Sequence, residues 1–402
     1  MPPPTKGTPG AHAPAAGPIV RTADHTVLIV FGTRPEAIKM APVLKALEAT
    51  PGIRPLVCVT AQHRQMLDQV LALFAIRPRY DLDIMRDGQG LSYVTAAVLD
   101  GIQTVIRDCR PDRILVQGDT TTTMAAAMAA FYERVPVGHV EAGLRTGNLH
   151  SPWPEEMNRR LATAMADLHF APTEQSRANL LREGVDSARV LVTGNTVIDA
   201  LLYAVDRIER DRGLQADLNA RFPFLDALAG QGRRIILATG HRRENFDGGL
   251  EQVFTALSWL AERPDVGVVF PVHLNPNVQK AATAVLRDRP NVHLIPPQDY
   301  LPFVYLMMRA HLIVTDRGGI QEEAPSLGKP VLVTRDTTER PEAVTAGTVE
   351  LIGPSADAVT AHATRLLDDA AAYGRMSRAH NPYGDGRAAG RIAERLLHDS
   401  RR

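Results

Sequence analysis

The sequence predicts an α/β protein made of two doubly wound domains with a cleft between them. Three observations support this reading. The chain has 402 residues, more than one hydrophobic core usually serves. From Thr26 onward, short apolar runs rich in β-branched residues are each followed by a turn and a longer segment of helical spacing. The runs are almost continuously apolar, as strands are when helices cover both faces of a parallel sheet.

Taken in order, the expected strands are Val27–Phe31, Leu56–Val59, Ile114–Gln117, Val137–Val140, Leu168–Phe170, Ile235–Ala238, Val266–Phe270, His293–Ile295, Leu312–Thr315 and Val331–Val333. Between them apolar residues recur at three and four positions, as in Met40, Val43, Leu44 and Leu47, the spacing of an amphipathic helix. Residues 1–25 are expected to be a disordered tail. Met1 to Gly17 carry five prolines and three glycines and cannot bury enough apolar surface to offset chain entropy. The first domain is expected over 26–196 and the second over 197–378. A final segment, 379–402, is expected to be helical and to pack back on the first domain. The boundary is placed where Gly194 and Asn195 follow the strand-like Val190–Val192.

Composition excludes several classes. Forty-five basic residues balance forty-five acidic ones, so no global field gathers nucleic acid or anionic membrane. No apolar run approaches the roughly 20 residues that span a bilayer, and the chain reads as soluble. With Cys58 and Cys109 alone there is neither a disulfide framework nor cysteine zinc spacing, and a reducing cytoplasm is the natural setting.

In open parallel sheets, ligands bind beyond the carboxyl ends of the strands, where helix N-termini converge. The first strand ends in Gly32-Thr33-Arg34-Pro35-Glu36, where Thr33 and Glu36 have capping-box spacing and Pro35 suits a first helical turn. Arg34 is a cation at an already positive helix end, which a bound anion would compensate, although a solvated arginine also fits. Asp119 follows Gln117-Gly118 and is explained as well by an N-cap role as by catalysis. Glu141 follows the next strand with no capping excuse. Glu155 follows the proline-stiffened Pro152-Trp153-Pro154, and Arg159 lies just beyond, although solvated charge is the usual fate of such residues.

In the second half, His241 stands with Arg242 and Arg243 at a strand end, where neighbouring cations depress an imidazole pKa and favour the neutral form. The last polar cluster is Asp316-Arg317-Gly318-Gly319, leading to Glu323. A glycine pair opening a helix admits a phosphate, and Glu323 one turn in can reach ribose hydroxyls. No G-x-G-x-x-G follows the first strand, no G-x-x-x-x-G-K-[ST] exists and no H-E-x-x-H occurs. No nicotinamide cofactor and no metal is expected.

These segments in register, FGTRPEAIKMAPV, TAQHRQML, QGDTTTT, HVEAGLRTG, SPWPEEMNRR, TGNTVIDAL, TGHRREN, PVHLNPNV, TDRGGIQEEAPSLGKPVL, RDTTERPEAVTAGT and NPYGDG, resemble the non-hydrolysing bacterial UDP-N-acetylglucosamine 2-epimerases. The resemblance runs from about Val27 to the carboxyl terminus. It implies two Rossmann-like domains of the glycosyltransferase-B type, a homodimer, no cofactor, and interconversion of UDP-N-acetylglucosamine and UDP-N-acetylmannosamine. By motif, Asp119, Glu141, Glu155 and His241 match the acid/base residues. Arg34 and Lys39 match cations facing nucleotide and sugar, and Arg159 a residue near the sugar. Phe303 would lie beside uracil, Gly318 and Gly319 at the diphosphate, Glu323 on the ribose and Arg340 near the diphosphate. Gln62, Gln65 and His273 match a site where a second substrate molecule activates many relatives. Arg317 departs from the serine usual in the family, and either pairs with the diphosphate or displaces it.

The implied chemistry needs such groups. The C2 proton is not α to a carbonyl, so direct deprotonation fails. If the anomeric bond to UDP breaks first or concurrently, oxocarbenium character at C1 acidifies C2, and loss of UDP gives 2-acetamidoglucal. Proton return on the other face with UDP re-addition inverts the centre, which requires two proton-transfer groups and cations for the departing diphosphate. A hydrolysing 2-epimerase, a glycosyltransferase of the same architecture and a non-catalytic sugar-nucleotide sensor are the competing readings.

Overall fold

The computed structural model describes residues 24–62, 64–240 and 248–401; residues 1–23 of the expected tail lie outside them. The chain divides into two compact units, residues 1–192 with 389–402, and residues 193–388. Among the described residues the first unit holds seven strands: β1 (His25–Phe31), β2 (Ile53–Val59), β3 (Tyr80–Asp81), β4 (Arg113–Gln117), β5 (Val137–Val140), β6 (Leu168–Ala171) and β7 (Val190–Val192). Their order is β3-β2-β1-β4-β5-β6-β7. The second unit holds β8 (Arg234–Thr239), β9 (Val266–Pro271), β10 (Val292–Ile295), β11 (Leu312–Thr315), β12 (Val331–Val333) and β13 (Val349–Leu351). These run β10-β9-β8-β11-β12-β13, and neighbouring strands in both sheets are parallel.

Strand order therefore reverses between β1 and β4, and again between β8 and β11. At such a point the helices leave in opposite directions and open a crevice beyond the strand ends, so ligand-binding residues are sought there. The polar segments singled out in the sequence leave β1, β4, β5 and β11 at those ends.

Burial follows from the apolar runs. In the first unit, Leu28, Val30, Ile114 and Val116 pack with Val98, Ile102 and Ile106 of the helix Leu91–Cys109. Ala125, Ala126 and Ala129 of the helix Thr121–Tyr132 join the same core. In the second, Ile236, Val268 and Phe270 pack with Phe254 and Leu257 of the helix Gly249–Leu260, and with Val359 and Leu366 of the helix Ala356–Asp368.

The unit boundary differs from the expected one. Asn195 caps the helix Thr196–Arg210 by accepting from Val197 N at 3.1 Å, and its own N–H donates to the Tyr383 carbonyl at 2.6 Å. Residues 193–196 thus belong with the second unit. The expected 379–402 segment is also divided, because Asn381 Nδ2 donates to the Glu322 carbonyl at 2.8 Å and holds its first part in the second unit. Most of the helix Ala388–Ser400 belongs with the first unit, where Arg395 donates to the Ala188 carbonyl at 3.1 Å.

Candidate active site

The first-unit site begins with the turn after β1. Glu36 Oε2 accepts from the backbone N–H groups of Gly32 at 3.0 Å and Thr33 at 2.8 Å, so the expected capping geometry forms at the start of the helix Arg34–Glu48. Its other oxygen accepts from the hydroxyls of Thr120 at 2.6 Å and Thr123 at 3.2 Å. Glu36 is thus more than a cap, because it ties the turn after β1 to the turn after β4. Burial pushes its carboxyl above the usual range, and these donors act against that shift. Arg34 is half-buried at the first helical position and makes no ion pair with a described residue.

The turn after β4 corrects one reading. The helix there starts at Thr121 and is capped by Thr120, whose hydroxyl accepts from Thr123 N at 3.1 Å. Asp119 is therefore not the N-cap. Its Oδ2 instead accepts from Arg159 Nη2 at 2.7 Å and Nε at 3.0 Å. Arg159 also reaches Glu156 at 3.2 Å, and Asn158 Nδ2 donates to the Asp119 carbonyl at 2.9 Å. Gly118 holds a positive φ of 74°, which suits glycine and swings the chain out at this turn.

Glu141, just beyond β5, has φ 62°, an uncommon conformation for a residue bearing a Cβ and one of about 1–2 kcal/mol cost. Its side chain is 5% exposed, and Lys39 Nζ donates to Oε1 at 2.6 Å and Oε2 at 2.7 Å. Gln117 Nε2 donates to the same Oε2. His139, two residues earlier and fully buried, meets the Gly118 carbonyl through Nε2 at 2.7 Å. A carbonyl can only accept, so Nε2 carries the hydrogen. Desolvation, with help from Arg145 and Arg159, pushes this imidazole down to about 4.

Glu155 begins the helix Glu155–Met165, half-buried, and makes no hydrogen bond or ion pair with a described residue. Its neighbour Glu156 is fully buried and accepts from the backbone N–H groups of Thr146 at 3.1 Å and Gly147 at 3.2 Å. The structure therefore forms a charged cluster of two ion pairs at the ends of the neighbouring strands β4 and β5, Arg159 with Asp119 and Lys39 with Glu141, and Glu155 takes part in neither pair. Gln117, Glu36, Glu156 and His139 belong to this cluster's support and were not singled out as site residues. Only their polar character at strand ends or in a helical first turn signalled them.

In the second unit, β11 leads into a short helix, Gly318–Glu323. Arg317 precedes it, and its N–H donates to Thr315 Oγ1 at 3.0 Å. Gly318 lies against the Arg340 guanidinium, and a Cβ there would fall 2.5 Å from Arg340 Nη1, so a larger residue would push that side chain aside. Arg340 Nε donates to the buried Glu322 at 2.5 Å, and Asn195 Nδ2 donates to the other Glu322 oxygen at 3.1 Å. Gly319 is exposed beside Glu323, which accepts from the Tyr300 hydroxyl at 3.1 Å. Phe303 is half-buried on the helix Tyr300–Arg309. His241 lies outside the described residues.

Of the three residues matched to an activating site, Gln62 accepts from Thr122 Oγ1 at 3.2 Å, and Gln65 is exposed on the helix Arg64–Leu73. His273, in the other unit, accepts through Nδ1 from Asn275 N at 3.1 Å. Among the described residues no group of three or more His, Cys, Asp or Glu is placed to hold a metal ion, and no helix is long and apolar enough to cross a membrane.

Comparison with known proteins shows the family of the chain. The family model for UDP-N-acetylglucosamine 2-epimerase matches residues 45–397. The chain is similar to the UDP-N-acetylglucosamine 2-epimerase of Yersinia pestis, with 60% identity over 92% of this chain and 98% of that protein. The Escherichia coli K12 protein of the same name is 58% identical over the same shares. The fold is similar to the crystal structure of UDP-GlcNAc 2-epimerase from Neisseria meningitidis bound to UDP-GlcNAc. That match has TM-score 0.85 and 52% identity, covering 93% of this chain and 100% of that one. With these matches the chain belongs to the UDP-N-acetylglucosamine 2-epimerase family.

Proposed function

We propose that the protein interconverts UDP-N-acetylglucosamine and UDP-N-acetylmannosamine at C2, without hydrolysis, by eliminating UDP to 2-acetamidoglucal and adding it back. The observation that carries this reading is the cluster at the ends of β4 and β5, where Asp119 and Glu141 are each held by a cation, Arg159 and Lys39. Such carboxylates can exchange protons while staying aimed, and the cations are present to meet negative charge as the diphosphate departs. Asp119, Glu141, Glu155 and His241 serve as the acid/base set, with Arg34, Lys39 and Arg159 about the sugar and nucleotide. The second unit contributes Phe303 to uracil, Arg317, Gly318, Gly319 and Arg340 to the diphosphate, and Glu323 to the ribose. Gln62, Gln65 and His273 form an activating site for a second substrate molecule. The enzyme works as a cytoplasmic homodimer and feeds N-acetylmannosamine units into a polysaccharide or antibiotic.

The test is product analysis after incubating the purified protein with UDP-N-acetylglucosamine alone. The proposal expects two UDP-sugars reached from either side. Free N-acetylmannosamine with UDP would identify a hydrolysing enzyme, and binding without turnover would identify a sensor.

A further inference from the structure

Gln117 is the last residue of β4 and is 3% exposed. Ile114, Leu115 and Val116 before it are buried and apolar, so an amide here needs a reason other than packing. Burying a primary amide costs free energy unless its donors and acceptors are met. The amide is turned so that Nε2 donates to Glu141 Oε2, the oxygen that Lys39 Nζ also reaches at 2.7 Å. The same carboxylate packs against Gly118, where an added Cβ would lie 3.6 Å from Oε2. Glu141 is thus gripped from the first helix by a cation and from the neighbouring strand by a neutral donor.

We propose that Gln117 is a positioning residue for epimerisation, whose amide holds Glu141 deprotonated and aimed for proton transfer at C2. The inference rests on the reading of Glu141 as a proton-transfer group. A neutral donor favours the carboxylate over the acid without adding a second positive charge, which would drain basicity from the group. A carboxyl at position 117 would do the reverse, competing for Lys39 and binding a shared proton. Among the described residues, the other charged or titratable groups at this corner include Lys39 and the buried Glu36 from the helix Arg34–Glu48, Asp119 after β4, and Arg159 with Glu156 from the helix Glu155–Met165. Arg145 follows β5, and His139 on β5 is buried and stays neutral through the working range.

Wild type, Gln117→Met and Gln117→Glu separate this role from packing. Methionine keeps the side-chain length but removes the donor, and glutamate keeps the shape but replaces the donor by an acceptor. Steady-state kcat and KM for UDP-N-acetylglucosamine are measured from pH 5 to pH 9, with thermal unfolding as a check of folding. The acid limb of kcat is expected to move up by about one pH unit in Gln117→Met and further in Gln117→Glu, with KM changed less than about twofold. Acid limbs that superimpose on wild type in both folded variants, whatever the loss of kcat, overturn the proposal and leave Gln117 a packing residue. A wild-type protein that turns over no UDP-N-acetylglucosamine overturns the epimerase reading itself, before any variant is compared.

Discussion

At the scale of single residues, Glu141 concentrates the demands of the site. It combines a strained backbone, near-complete burial and an ion pair to Lys39. Glu141→Gln is expected to lower kcat by about 10²–10⁴-fold, the usual worth of a proton-transfer group. It also strands Lys39, so the variant should unfold about 2 kcal/mol more easily while remaining folded at assay temperature. Full activity in the folded variant would remove Glu141 from the mechanism. Arg317→Ser should weaken UDP binding about tenfold by removing a charge-assisted contact; an unchanged Kd in titration calorimetry would show that the guanidinium points elsewhere. Asp119 and Glu141 were legible as candidates because charges stand out beside strand ends, Arg159 because it follows a proline-stiffened loop, and Lys39 only through the family resemblance. Gln117 and Glu322 were not, because their meaning comes from partners 24 and 127 residues away.

At the scale of elements, the turns after β1 and β4 act together through Glu36. Thr120 both caps its helix and donates to Glu36, so Thr120→Ala should cost about 1 kcal/mol or somewhat more, read as a lower urea midpoint. No change would show that neither contact matters to stability. Most strands were legible from their apolar runs. The two that were not are both edge strands: β3 has two residues, and β13 is interrupted by Glu350, so neither offers a continuous apolar run. In β2 the expected start at Leu56 proved late by three residues, and the stretch it missed contains Pro55, which has no backbone N–H to give a neighbouring strand. Yet Pro55 sits opposite Val27 on a stretch of β2 that pairs with β1, while β3 pairs only with Cys58 and Val59. A missing N–H is tolerated on such an open side.

At the scale of the whole molecule, buried imidazoles link stability to pH. Desolvation holds His139, His169 and His311 down to about 4 in the folded protein. Unfolding exposes them near 6.5, so below that pH the unfolded chain binds more protons than the native one. Stability is then full above pH 6.5 and declines as pH falls from 6.5 toward 4, and the urea midpoint should be lower at pH 5 than at pH 7. An equal midpoint would contradict the link. Epimerisation by this route requires that loss of UDP make the C2 proton exchangeable. Incubation with UDP-N-acetylglucosamine in deuterated water, read by proton NMR at C2, tests this most directly. Deuterium at C2 of the epimerised sugar is the predicted result, and epimerised product that retains its original hydrogen there would contradict the account.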